Sequence, residues 1–307
     1  QISELASAVG TVELDHGSIK RAKEWFTQSL LAPTDNSLAQ AQWATEQNTK
    51  ILIPEAAWQT PASYEAKTLA SRQTRKWNNA LQSCAAWLTD EPFSLRPALM
   101  GSYLGFRPES YAMAEQFASA GLRCDSTNIS LLNNRAVARA YQGKIHEAFA
   151  DVQTALEYSS GRNNPHLMAT LGLIAFRSGL TDLGRENYKL SIAWFSHSKE
   201  RESVAVATLH LLREEMRFDR SAIAYSVKMA QRIEKLPIVM RQPEIIGMAE
   251  LLLEEAKEYA IAEFDPKHLG LVAPASPFQF YHQASLFNVP EKAKQRLSVL
   301  GDYSGLT

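Results

Sequence analysis

The side chains that most often do chemistry are present in this chain, but without the companions that chemistry needs. His146-Glu147 has no second histidine at the helical spacing of a zinc-binding helix. In Gly301-Asp302-Tyr303-Ser304-Gly305 the serine stands one place late for a nucleophile elbow, and no strand precedes it. Glu214-Glu215 and Glu254-Glu255 read as carboxylates on helix surfaces rather than as metal ligands. There is no phosphate loop and no GxGxxG sequence. Cys84 and Cys124, the two cysteines, have no Cys or His cluster nearby, which argues against a disulfide framework or a zinc site. Both read as small apolar fillers inside helices. The expectation is a chain that is not an enzyme and carries no metal or cofactor.

Bulk properties narrow the class further. The 307 residues are 45% hydrophobic and 21% charged, enough to bury a large core. A formal net charge of −1 argues against a general nucleic-acid binder. Arg72, Arg75, Lys76, Arg96 and Arg107 could still contact phosphates, but no repeated two-residue base code accompanies them. Cysteine usage favours a reducing, cytoplasmic setting, and no apolar run is long enough to span a membrane. The chain opens at Gln1 without a signal-like segment, and Ile2, Leu5 and Val9 are already at helical spacing. This start reads as a cut edge, with an effector domain to be looked for before it.

What would position any site is a long series of helices. Apolar and small residues at helical spacing predict helices over 19–30 and 37–47, then an irregular insertion over about 48–62 broken by Pro54 and Pro61. From there helices are predicted in pairs: 64–75 with 77–88, 97–106 with 108–122, 129–142 with 145–158, and 165–177 with 181–196. A degenerate pair follows over 201–216 and 220–236, with Ala222 in the small-residue place, and then a helix over 244–264. Trp25, Trp77, Trp87 and Trp194 sit at packing positions and read as core.

A phrase recurs along these pairs. Small residues Ala80, Ala114 and Ala148 are separated by 34 residues, and Gly184 follows after 36. Leu132, Ala136, Ala148 and Val152 form one copy; Met168, Leu171-Gly172, Ala175, Gly184 and Tyr188 form the best one. Pro92 closes an earlier copy, and Ala22 with Phe26 suggests one near the start. This pattern resembles the tetratricopeptide repeat (TPR), although the signature Trp is missing from the first helices. The resemblance implies an all-α, right-handed superhelical solenoid of TPR-like helix pairs with a non-repeat helical C-terminal cap and tail. Its parts are N-terminal helices with a degenerate repeat and the insertion (1–60), four repeats (61–198), a degenerate repeat and capping helix (199–264), and an aromatic, Pro-containing tail (265–307).

In that family the first helix of each pair lines a concave groove. Carried onto this chain, Glu65, Leu69, Arg72 and Gln73 come from one helix. Arg96, Leu99, Tyr103, Phe106 and Arg107 come from the next. Asn133, Val137, Ala140 and Tyr141 follow, then His166, Ala169, Leu173, Phe176 and Arg177. Arginines among aromatics would suit a peptide with acidic side chains or a free C-terminal carboxylate. The Lys and Asn combination of the family's carboxylate-clamp branch is absent. The expected function is a protein-interaction scaffold that binds a peptide or partner domain in the groove. The alternative is a ligand- or peptide-sensing regulatory arm of a larger protein. The tail residues Phe278, Phe280, Tyr281 and Phe287 would cover the last helix or plug the groove.

Overall fold

The computed structural model describes residues 2–159, 164–237, 239 and 242–261. The aromatic tail and the Gly301–Gly305 stretch lie outside these residues. Among the described residues the chain is all-α and has no strand. It divides into two compact units, the first ending at Leu104 and the second beginning at Gly105.

The first unit holds α1 (Ile2–His16), α2 (Ile19–Ser29), α3 (Asp35–Gln47), a short 3-10 helix (Glu55–Gln59), α4 (Tyr64–Gln73), α5 (Trp77–Asp90) and α6 (Leu95–Leu104). α1 packs on α2 and α3, α3 on α4, and α5 on both α4 and α6. Thr34 starts α3 with a reciprocal cap, accepting from the Ser37 amide while the Ser37 hydroxyl receives the Thr34 amide. The 48–62 insertion is part of the core. Its Ile51 and Ala57 are buried with Phe26, Leu38, Ala41, Ala44 and Ala66, and Trp58 packs against them.

The second unit holds α7 (Tyr111–Cys124), α8 (Ile129–Tyr141), α9 (Ile145–Tyr158), α10 (Pro165–Arg177), α11 (Thr181–His197), α12 (Arg201–Phe218), α13 (Ala222–Glu234) and α14 (Pro243–Ile261). α8 pairs with α9 and α10 with α11, while α8 also packs on α10, α10 on α12, and α12 on α14. Asn164 caps α10 through the His166 and Leu167 amides, with Pro165 in the first turn, where a missing N–H costs nothing.

A positive-φ residue recurs in the turns at the repeat spacing. Arg75, Glu109, Gly143 and Gly179 all have positive φ, and their spacings match those of the small residues five places later. At Arg75, Gly143 and Gly179 the next amide reaches back to close the helix end. Lys76 N bonds Ser71 O at 2.8 Å, Lys144 N bonds Arg139 O at 2.9 Å, and Leu180 N bonds Ala175 O at 2.9 Å. The small residues themselves are where helices approach. Ala22, Ala80, Ala114 and Ala148 are fully enclosed. A Cβ on Gly184 would come within 2.5 Å of the Phe176 ring.

Several expectations need correction. Ala222 opens α13 and is not its buried small residue; Ser226 holds that place. Trp87 is core, but Trp25 is exposed because its neighbour Phe26 takes the inward position on α2. Cys84 is buried as a filler, with burial pushing its thiol up to about 12, whereas Cys124 ends α7 on an exposed face. Phe106 and Arg107 are not on the face of α6. That helix stops at Leu104, and both residues are buried in the turn before α7.

Candidate binding cleft

Two groups of polar residues stand out, one in each unit. The first is a cleft of about 360 Å³ lined by Asn36, Ala39, Gln40, Trp43, Glu65, Leu69 and Arg96. The first four recur at three- and four-residue steps along α3 and so share one face. Glu65 and Leu69 stand one turn apart on α4, and Arg96 reaches in from the first turn of α6. Gln40 is oriented by donating to the Thr11 hydroxyl at 2.8 Å, and Asn36 donates to Glu4 at 3.5 Å.

The charges of the cleft are one carboxylate and one guanidinium, and they are bonded to each other. Arg96 donates to Glu65 and lies 5.5 Å above the Trp87 ring. Their surroundings differ. The Glu65 side chain is 16% exposed and the Arg96 side chain 63%. Burial raises the Glu65 carboxyl above its ordinary range; Arg96 pulls it back, while Glu91 and Asp35 push it up further.

The second group is a buried cluster within the second unit. Arg213 grips both oxygens of Glu255, at 2.6 and 2.7 Å, and also donates to Glu109 and to the Tyr111 hydroxyl. Arg217 joins Glu255 at 3.0 Å. Arg177 pairs with Glu214 through two contacts, at 2.9 and 3.0 Å. Tyr111 and Tyr141 stack at 4.5 Å, with Arg177 4.6 Å and Arg213 5.1 Å from the Tyr141 ring. The Tyr141 hydroxyl and His210 Nδ1 are hydrogen-bonded at 3.1 Å. Burial, reinforced by Arg107, Arg213 and Arg177, drives the His210 imidazole down to about 3 and keeps it neutral. Most donors and acceptors here face one another, which suits tying helices together.

The groove residues expected from the sequence are therefore dispersed. Arg96 lines the cleft, along with Glu65 and Leu69. Arg72 is beside it, bonded to Glu46 at 2.9 Å. Tyr103 is half-buried on α6. Tyr141 and Arg177 belong to the buried cluster. Asn133 accepts from Thr170 at 2.7 Å, and the His166 ring packs 4.7 Å from Phe195. Phe176 is fully enclosed against Tyr188 and Phe218, because it points into the α10–α11 crossing.

The carboxylates read as surface groups are the other correction. Glu214 and Glu255 are buried and salt-bridged, since arginines on their own or neighbouring helices reach them. Helix α3, expected over 37–47, adds a wall of the cleft through Trp43, Gln40 and Asn36, none of which was among the expected groove residues. Their three- and four-residue spacing is the signal that could have shown it. Among the described residues no helix is long and apolar enough to cross a membrane, and no three His, Cys, Asp or Glu side chains gather as metal ligands would. No protein-family model and no curated protein sequence matches this chain.

Proposed function

We propose that this protein is a TPR-like helical-repeat scaffold and that the cleft of its first unit grips a segment of a partner protein. The observation that carries this reading is the cleft itself. Three helices build it, two of them (α4 and α6) the first members of the expected pairs. It combines an aromatic and aliphatic wall with a few oriented polar groups, the usual make-up of a recognition site. Positive-φ residues standing five places before each of the small residues Ala80, Ala114, Ala148 and Gly184 support the repeat reading.

The experiment is site-specific photo-crosslinking from Gln40 in the protein's own cells, beside the same probe in a Trp43→Ala background. A protein adduct that disappears with Trp43→Ala, while helicity and thermal unfolding are unchanged, is expected. An adduct indifferent to Trp43, or none at all, would remove the cleft from the proposal.

A further inference from the structure

The charge of the cleft points to a partner of opposite character from the acidic peptide that the arginines suggested. Three of the four groove arginines already hold a glutamate of their own unit: Arg72 with Glu46, Arg96 with Glu65, Arg177 with Glu214. The fourth, Arg107, is buried. An arriving carboxylate would have to displace one of these partners.

We infer that the cleft receives a basic side chain, arginine or lysine, carried by a peptide, with Glu65 as its anion and Trp43 and Leu69 as the walls for its methylene stem. This rests on reading the cleft as a binding site. The structure contains a rehearsal of the complex: Arg96 places a guanidinium on Glu65. The pair is lopsided, however. Glu65 is mostly shielded from water in the first turn of α4, where the helix N-terminus supports its charge. Arg96 is mostly exposed, so water can take over the solvation of its guanidinium when Glu65 is given another partner. A ligand cation can therefore replace Arg96 while Glu65 stays in place.

Charge complementarity selects the same ligand. Beyond the lining itself, Asp35 and Glu91 both act on Glu65 electrostatically and add negative charge around the pair. A further anion meets net repulsion, whereas a cation balances the site. The Trp43 ring and Leu69 can cover an aliphatic stem, as long basic side chains prefer, and the ring face attracts the charge. The Gln40 and Asn36 side-chain amides each carry an acceptor oxygen at the rim.

The test titrates the full chain with capped tripeptides Ala-X-Ala, where X is Arg, Lys, Glu or Leu. Binding is read from the Trp43 indole N–H resonance, assigned with Trp43→Phe. The Arg and Lys peptides should shift it and the Glu peptide should not. Arg96→Ala should tighten the Arg peptide about threefold by removing the internal competitor. Glu65→Gln should weaken it about tenfold. The double variant Asp35→Asn with Glu91→Gln should weaken it about threefold even if Glu65→Gln does not fold. Preference for the Glu or Leu peptide, or indifference to both acidic variants, would overturn the basic-ligand inference and leave the cleft as a binding site. No shift of Trp43 by any peptide would overturn both.

Discussion

The two units use the same pair of residues to opposite ends. In the first, Arg96 and Glu65 meet at the edge of a cleft, with the guanidinium largely in water. In the second, Arg177–Glu214 and Arg213–Glu255 are withdrawn from solvent, and every one of these side chains is at most 10% exposed. A pair at an edge can exchange partners. A pair in the interior cannot, because either charge left alone would have neither water nor a counterion. The physical setting, not the residue type, separates a pair that can exchange partners from one that cannot.

The largest expected effect comes from breaking the interior pair. Arg213→Ala leaves Glu255 with Arg217 alone and removes the links to Glu109 and Tyr111. It should cost about 3–5 kcal/mol in urea unfolding. Arg96→Ala, the matching change at the cleft, should cost less than about 1 kcal/mol. Equal losses would erase the distinction between the two sites.

A pH series probes the same difference. His210 is neutral in the folded cluster, its imidazole lowered from 6.5 to about 3. Because the folded value lies below the unfolded one, the unfolded chain takes up the proton first. The stability due to His210 is complete above the unfolded value and is lost as pH falls from 6.5 towards 3. The slope is about 1.4 kcal/mol per pH unit. Unfolding at pH 7 and pH 5 should therefore differ by about 2 kcal/mol from this group. His210→Gln should remove that part of the difference whatever it does to absolute stability. An unchanged slope would mean that the imidazole is not held neutral.

Tight helix approach is the next contrast. A Cβ on Gly172 would lie 2.8 Å from the Tyr188 ring and 3.0 Å from the Gly184 carbonyl, one of which belongs to a rigid backbone. Gly172→Ala should cost about 1–3 kcal/mol through overpacking. At Gly10 of the first unit the nearest contact is 3.1 Å, to the Phe26 ring alone. Gly10→Ala should cost less, and the ratio of the two losses in thermal unfolding checks it.

These positions also show why the helices were easier to read from the sequence than the site. Ala80, Ala114, Ala148 and Gly184 announce themselves because a close crossing admits only small side chains, whatever the rest of the helix does. The same rule failed at Ala222, where a degenerate helix moved the requirement to Ser226. The site depends on which of several polar residues meet across helices, and periodicity is silent about that. Glu214 and Glu215 are adjacent in sequence, yet one is wholly buried against Arg177 and the other sits beside Arg185 nearer the surface. Trp43 was hidden for a related reason. Helix α3 is followed by the insertion and not by a second helix, so no repeat phase pointed to its face.

The smallest expected effect tests the turns, where the units differ in residue but not in geometry. Gly143 and Gly179 adopt φ of 75° and 79° without a Cβ, whereas Arg75 holds φ of 56° with one. A left-handed residue with a Cβ carries a steric cost that glycine avoids, and the Lys76–Ser71 closure requires that conformation. Arg75→Gly should thus stabilise the protein, by about 0.5–1 kcal/mol after glycine's larger unfolded-state entropy is subtracted. The reciprocal Gly143→Ala should destabilise by about 1 kcal/mol. Opposite signs at two turns of the same shape would show that one backbone requirement operates in both units. If Arg75→Gly instead lowered stability in urea unfolding, the arginine side chain would be contributing more than its backbone strain removes.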